Sequence, residues 1–417
     1  MLSIKLVREE PGRVRADLEK RGKPTKALDD FLEKDAASRQ LKQELDELRR
    51  ERNEVTRKIS EAKKKGEKAG ALMDEAKGIP QKIKEKEAEK AGVDEEAKAL
   101  LSRLPNLLHE SVPPTGEGEE GNEVVRAKGD SLKCGGKSHT DLLVERGLLD
   151  LERAAKTSGA RHYYLKGKAA LLSHGLQRMA LDFIISKKGF ELVFPPHLLN
   201  REVYEGVTDL NDFENVMYAA GNGQFLIATS EHPLVAMHAG EVLEELPLKY
   251  AGLSTCYRKE AGAHGKDQKG IFRVHQFNKV EQIVFCREDE SWKWHEELLK
   301  NAEEFYGLLE LPYRIVNVCT GDIGTVAAKK YDLEAWFPVQ EAYREVVSCS
   351  NCTDYQSNAL NIRGGKYGGE KTAVHTLNST LMPDTRTIAA LVENFQREDG
   401  SIAIPKALQK YCGFEEL

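Results

Sequence analysis

Between Thr255 and Phe285 the chain reads TCYRKEAGAHGKDQKGIFRVHQFNKVEQIVF. The run predicts a strand, a ten-residue polar loop from Ala261 to Gly270, and a second strand over 271–286. Strand side chains alternate between faces. Arg273, His275, Phe277, Lys279 and Glu281 therefore share one face of the second strand, opposite Phe272, Val274, Gln276, Asn278 and Val280; Arg258 and Glu260 share a face of the first. Such a wall could hold a nucleotide. Arginines clamp phosphates through paired hydrogen bonds, a phenyl ring gives a base a surface to stack on, and carboxylates hold a magnesium ion or a substrate ammonium. A solvated strand face laced with ion pairs would carry the same residues. The largely apolar opposite face, which would bury the strand, narrows the gap between the two readings.

The rest of the chain must position these groups. Its 417 residues suggest two or three domains. No stretch approaches the ~18 apolar residues of a membrane span. Glu9, Glu10 and Asp17 argue against a transit peptide. Seven cysteines make no secreted disulfide framework, so a cytoplasmic protein away from membranes is expected. The net charge of −6 is uneven: +3 over residues 1–100 and −9 over the remainder. From 31 to 100 half the positions are charged, and apolar residues keep a 4-3 rhythm. Leu41, Leu45, Leu48, Val55 and Ile59 form one seam; Leu72, Ala76, Ile79, Ile83, Val93, Ala97, Leu100 and Leu104 form a second, with Lys90 in a seam slot. That is the pattern of a coiled coil. The basic, Gly-punctuated stretch 63–70 between the seams suits a turn, so the helices should run antiparallel as an arm roughly 50 Å long. Pro80 should start or kink the second helix. By itself such an arm fits a dimerisation coiled coil; its tip lysines, Lys63, Lys64, Lys65 and Lys68, lean towards a polyanion.

Prolines 105, 113 and 114 and the Gly/Glu string 116–121 mark a linker. The expected organisation is an N-terminal domain over 1–110, a linker over 111–135 and a second domain over 136–417. In the latter, strand-like runs at 189–196, stopped by its prolines, and at 224–229, 251–258, 271–286, 313–319 and 342–349 cluster with hairpin-like spacing. Helix-like runs fall at 171–186, 231–245, 289–309 and 384–397. An α+β fold follows, an antiparallel β-sheet with flanking helices, plus the helical arm.

The Arg-x-Glu, loop, Arg-Val-His-Gln-Phe arrangement resembles the second signature motif of class II aminoacyl-tRNA synthetases. Five further features occur in the order found in the seryl-tRNA synthetases: the helical arm; the strand stopped at Pro196; Thr229-Ser230-Glu231; the run from Glu345 to Asp354; and Thr376-Leu377-Asn378 leading to Arg386. The chain resembles that family from end to end, most closely its archaeal and eukaryotic cytosolic branch and its common zinc-free form. The resemblance implies ATP-dependent activation of L-serine, transfer to tRNA(Ser), and a homodimer; it leaves tRNA(Sec) open as a second substrate. It implies that Arg258 grips the α-phosphate and the serine carboxylate, Glu260 the adenine amino group, and Arg273 and Arg386 the outer phosphates. Phe277 would stack on adenine, Lys259, Val274, Val346 and Val347 would border the nucleotide, and Glu345 and Ser348 would hold Mg²⁺. Thr229, Ser230, Glu231, Glu281, Asn378 and Thr380 would receive serine, and the four tip lysines tRNA. Arg258 and Arg386 would be the catalytic pair. The physical reading agrees, since carboxylate attack on phosphorus needs positioning and charge neutralisation, not a protein nucleophile.

Three positions depart from the family pattern: Ser379, which would crowd the serine pocket or add a hydroxyl to it; Pro383-Asp384; and Asn358-Ala359, where paired arginines are common. Cys349-x-x-Cys352 lacks a second pair at zinc spacing. Gly364-Gly365-Lys366-Tyr367 lacks the ending of a P-loop, and His162, His174, His197 and His375 read as structural. Two other function classes fit parts of the chain: a non-catalytic RNA-binding protein, opposed by the intact motif residues, and an enzyme loading a protein carrier, opposed by the arm.

Overall fold

The seam rhythm of the first hundred residues folds into helices. In the computed structural model, which describes all residues except 67, 115–117, 132–134, 210–215 and 261–269, the chain forms two compact units, residues 2–105 and 106–417. The first contains helices α1 (Ile4–Glu9), α2 (Pro11–Lys20), α3 (Lys26–Lys64) and α4 (Gly70–Ser102). The 39 residues of α3 span about 58 Å at 1.5 Å each. Its partner α4 lies antiparallel, with Leu45, Val55, Ile79 and Ile83 buried between them. Lys34–Glu96, Lys86–Glu44 and Arg49–Glu87 ion pairs cross the seam at 2.5, 2.9 and 2.9 Å. Such exposed pairs stabilise by at most about 1 kcal/mol each, so the apolar seam carries the pairing. Near the base Leu101, not Leu100, is buried. Pro80 does not start α4, which begins ten residues earlier and runs through it.

The second unit is built on an eight-stranded sheet: β1 (Glu123–Lys128), β2 (Glu191–Val193), β3 (Leu248–Tyr257), β4 (Gln276–Cys286), β5 (Tyr313–Asn317), β6 (Lys329–Phe337), β7 (Ala342–Asn351) and β8 (His375–Pro383). Its order is β1-β5-β6-β7-β8-β4-β3-β2. Every pairing is antiparallel except that of the edge strand β2 with β3. The two central strands β4 and β8 are buried almost throughout, polar residues such as Glu281, Gln282, Asn378 and Thr380 included. Helices α5 (Lys168–Asp182), α6 (Glu231–Ala236), α7 (Ser291–Leu308) and α8 (Asp384–Asn394) cover the sheet.

Several expectations need correction. The linker assigned to 111–135 contains β1, an edge strand of the main sheet, and Val112 packs with Val316, Val318 and Ile323. The helix expected over 231–245 ends at Ala236, and Gly240 at φ 78° turns the chain. The second strand of the motif starts at Gln276 instead of 271, and the first ends at Tyr257, with Glu260 at φ 47°. Residues 261–269 of the expected loop lie outside the described residues. Among those described, no helix is long and apolar enough to cross a membrane.

Candidate active site

Over the upper ends of the central strands lies a cavity of about 410 Å³. Alternation along β4 places Phe277, Lys279 and Glu281 on its wall, as expected. Arg258 reaches it from the end of β3. Its Nε donates to the Ala228 carbonyl at 3.2 Å and its guanidinium lies 5.3 Å from the Phe277 ring centre, so among the described residues its terminal nitrogens are left facing the cavity. Beyond the strand ends alternation no longer applies, and other contacts set the geometry. Arg258 and His275 join through two hydrogen bonds, Arg258 N to His275 O at 3.0 Å and His275 Nδ1 with Arg258 O at 2.8 Å. Arg273 pairs with Glu260 at 3.6 Å, and Arg161 donates to the Glu260 carbonyl at 2.6 Å.

The opposite wall comes from β6, β7 and α8. Arg386 donates to the Glu345 carbonyl at 2.9 Å, sits 3.3 Å from its carboxylate, and stacks 4.9 Å over the Phe272 ring. Burial opposes charge on Glu345, but Arg386, Lys330 and Arg258 outweigh it and hold its carboxyl down at about 2. The side chain is 44% exposed, so the cations, more than dehydration, set its state. Ser348 stands opposite Asp332 in the β6–β7 register. Burial, with Glu345 and Asp322 adding to it, pushes Asp332 up to about 7 against Lys330, 3.7 Å away. Its Oδ1 is buried with no hydrogen-bond partner among the described residues.

At the floor, Lys279 and Glu281 form a tight ion pair, and Thr380 donates to Glu281 at 3.3 Å. Thr229 and Glu231 stand at the start of α6, where the Thr229 hydroxyl accepts the Glu231 amide at 3.2 Å. Gln356 donates to the Glu231 carboxylate at 2.9 Å. Burial, and then the nearby Glu281 charge, push Glu231 up to about 7 from an ordinary 4.5. Between those values the folded protein holds a proton that the unfolded chain has released, so stability falls as pH rises through this window and stays lower above it. Glu231→Gln should therefore raise the stability of the ligand-free protein by roughly 2–3 kcal/mol near pH 8 and by little near pH 4.5. Urea unfolding at the two pH values checks this.

The cavity gathers Arg258, Arg386, Phe277, Glu345, Val346, Ser348, Thr229, Glu231, Glu281, Asn378 and Thr380. It does not gather Lys259, Glu260, Arg273, Val274, Val347 or Ser230 among its lining residues. Lys259 gives its amide to Val216 O at 2.7 Å, Val274 and Val347 are in the core, and Ser230 is buried facing Gly252. Ser379 does not crowd the cavity. It lies opposite Gln282 on β4, on the face of β8 turned away from Asn378 and Thr380. Asp384, from the Pro-Asp departure, is buried and accepts from Ser173 and Asn278 at 2.8 and 2.9 Å, locking α8 to α5 and β4. Lys63, Lys64, Lys65 and Lys68 are exposed at the end of the helical pair, in the other unit. Sequence reasoning passed over His232, Lys330 and the loop 322–327, all lining the cavity, and weighed Cys352, which also lines it, only as half of a zinc-type pair and part of the 345–354 run. Only His232, beside Thr229–Glu231, carried a local signal.

The family model for the class II core domain of tRNA synthetases (G, H, P, S and T) matches residues 219–395, and that for the seryl-tRNA synthetase N-terminal domain matches 1–108. The serine–tRNA ligase of Methanoregula boonei is 53% identical over 426 residues, covering 100% of both chains. The solved structure of seryl-tRNA synthetase from Pyrococcus horikoshii complexed with ATP superposes with a TM-score of 0.94 at 47% identity, covering 100% of this chain and 99% of that one. For the cytoplasmic serine–tRNA ligase of Naegleria fowleri in complex with AMP, the values are 0.88 and 34%, with 100% and 98% covered. Likeness of this extent runs through the arm and the catalytic sheet alike, and the chain belongs to the seryl-tRNA synthetase family.

Proposed function

We propose that the chain activates L-serine with ATP, releasing pyrophosphate, and then transfers serine from the adenylate to the 3′ end of tRNA(Ser). The observation that carries this reading is the convergence, in one cavity, of Arg258, Phe277, Glu345 and Arg386 with a floor of Thr229, Glu231, Glu281, Asn378 and Thr380. In the first step an oxygen of the serine carboxylate attacks the α-phosphorus and the bond to the bridging oxygen of pyrophosphate breaks. The carboxylate is already ionised, so no general base is needed. The obstacle is repulsion between two anions. Arg258 neutralises both and Arg386 takes the outer phosphates, with Arg273, paired to Glu260 outside the cavity lining, as the second phosphate ligand that the resemblance implies; such preorganised charge is the largest usual contribution to catalysis. Phe277 holds the adenine ring; the resemblance gives the adenine amino group to Glu260, which stands outside the cavity lining.

Glu345 and Ser348 suit Mg²⁺. One is a carboxylate kept ionised at about 2, the other a hydroxyl beside the unpartnered buried oxygen of Asp332, and all are the hard oxygen donors that ion takes. When bound there, Mg²⁺ would neutralise phosphate charge. Glu231 and Glu281 accept the serine ammonium and hydroxyl, with Thr380 beside them. A homodimer, as the family resemblance implies, belongs to the same reading. Six described cysteines, all buried free thiols, accord with the cytoplasm.

Pyrophosphate exchange with each amino acid, followed by charging of tRNA(Ser) and tRNA(Sec), tests the reading. Exchange should depend on serine, and alanine should be about 10⁴-fold poorer in kcat/KM, because it leaves a buried hydrogen-bonding group unpaired. Threonine has to be excluded by one methyl group, a difference of only about 1–3 kcal/mol. Alanine activated as well as serine would overturn the assignment.

A further inference from the structure

Tyr204 lies on the short helix Arg201–Val207 and is wholly buried. Its hydroxyl meets two groups. The amide of Ala228 donates to it at 3.2 Å, and Nδ1 of His232 lies 2.9 Å away. Those two residues flank Thr229, Ser230 and Glu231, so a single oxygen is bonded at both ends of the turn that forms part of the cavity floor. The chain of contacts continues. The carbonyl of the same Ala228 accepts Nε of Arg258 at 3.2 Å.

From this geometry we infer that Tyr204 is a positioning residue, whose hydroxyl fixes the Thr229–Glu231 turn and, through the backbone of Ala228, the guanidinium of Arg258. The inference rests on the roles proposed above for those residues. Donors and acceptors match in one way. Burial pushes the His232 ring down to about 3, so it is neutral at working pH and one of its nitrogens is a bare acceptor. Burial pushes the Tyr204 phenol up to about 12, so it keeps its proton. The phenol oxygen accepts from Ala228 and gives its proton to Nδ1, leaving the His232 ring proton on Nε2. The rings meet edge to face at 4.9 Å, which favours this arrangement.

The consequence is a link between two subsites that the reaction must use together. Serine has to sit against Glu231 while its carboxylate meets the α-phosphate under Arg258. A shift of about 1 Å in either lowers the rate steeply. Ala228 is the only residue between the phenol and the arginine, so loss of the hydroxyl frees both at once.

Tyr204→Phe removes one oxygen and keeps the ring. In pyrophosphate exchange it should lower kcat about 10- to 100-fold and raise the serine KM several-fold, with the ATP KM moving less. The test of mechanism is a double-variant cycle with Arg258→Lys, which keeps a charge but has no Nε to give Ala228. In that background Tyr204→Phe should cost little further in kcat, because the step it supports is already gone. A purely structural tyrosine would lower the unfolding midpoint and leave kcat alone, or its loss would multiply with that of Arg258→Lys. Either result overturns the inference. Should Tyr204→Phe fail to fold, His232→Leu removes the other partner of the hydroxyl and should show the same split between kcat and KM; unchanged kinetics there would also overturn it. If Arg258→Lys itself kept wild-type exchange, the fault would lie with the role given to Arg258.

Discussion

Replacing Arg258 by alanine should lower serine-dependent ATP–pyrophosphate exchange about a thousandfold while leaving the protein folded. Its Nε is committed to the Ala228 carbonyl and one face of its guanidinium to Phe277, at 3.2 and 5.3 Å, so the group is held before substrates arrive. A held charge pays no reorganisation cost when charge develops on phosphorus, and loss of a single such donor typically costs 10²–10³ in rate. Nothing comparable is lost in stability, because the side chain borders an open cavity and its contacts are few. Arg386→Ala should match it in size but differ in pH dependence. Arg386 is the foremost of the cations that hold Glu345 near 2, so its removal should let that carboxyl rise and make the residual activity fall at a higher pH than in the wild type. Exchange rates across pH, with circular dichroism to confirm folding, check both. Near-normal exchange in either variant would remove the roles assigned to these arginines.

What could be read in the sequence follows the range of the forces involved. Alternation along β4 is a local rule, and it correctly placed Phe277, Lys279 and Glu281 on one wall. The same rule failed for Arg273 and for the pair Arg258 and Glu260, since the strands stop at Tyr257 and resume at Gln276. There the backbone follows hydrogen bonds between residues 17 positions apart and a positive φ at Glu260. The seam of the arm was legible until its last turn, where Leu101 takes the place of Leu100. Strand β6 was missed because its Lys329, Lys330, Asp332 and Glu334 look like a solvated segment, yet Lys330 lines the cavity and pairs with the buried Asp332. The hydrogen bond from Gln356 to Glu231 spans 125 residues and has no local signature. Family resemblance supplied the candidate list. The geometry then separated the residues that line the cavity from those that hold its walls.

Shortening the arm should separate the two steps of the reaction. The seam between α3 and α4 is closed by local apolar contacts, and the root is secured independently by Phe31, wholly buried, and by Asp35 paired with Arg8 and Arg39. Removing residues 41–90 and joining Gln40 to Ala91 by a few Gly-Ser residues would keep that root, along with the Lys34–Glu96 pair and the Ser38–Asp94 hydrogen bond. It would delete Lys63, Lys64, Lys65 and Lys68 at the far end. The residues of the candidate cavity all fall in the other compact unit, whose core includes none of the deleted positions. Pyrophosphate exchange should therefore stay within a few-fold of wild type. Charging should fall by orders of magnitude, because phosphate contacts by lysines set affinity for RNA and have no part in binding serine or ATP. A milder variant, all four lysines to alanine, should raise the KM for tRNA(Ser) and reduce the slope of its salt dependence by up to about 3 in log–log form, at roughly 0.7–0.9 per phosphate contact. Charging that survived the deletion, or exchange lost by a shortened protein that remained folded, would refute this division of labour between arm and sheet.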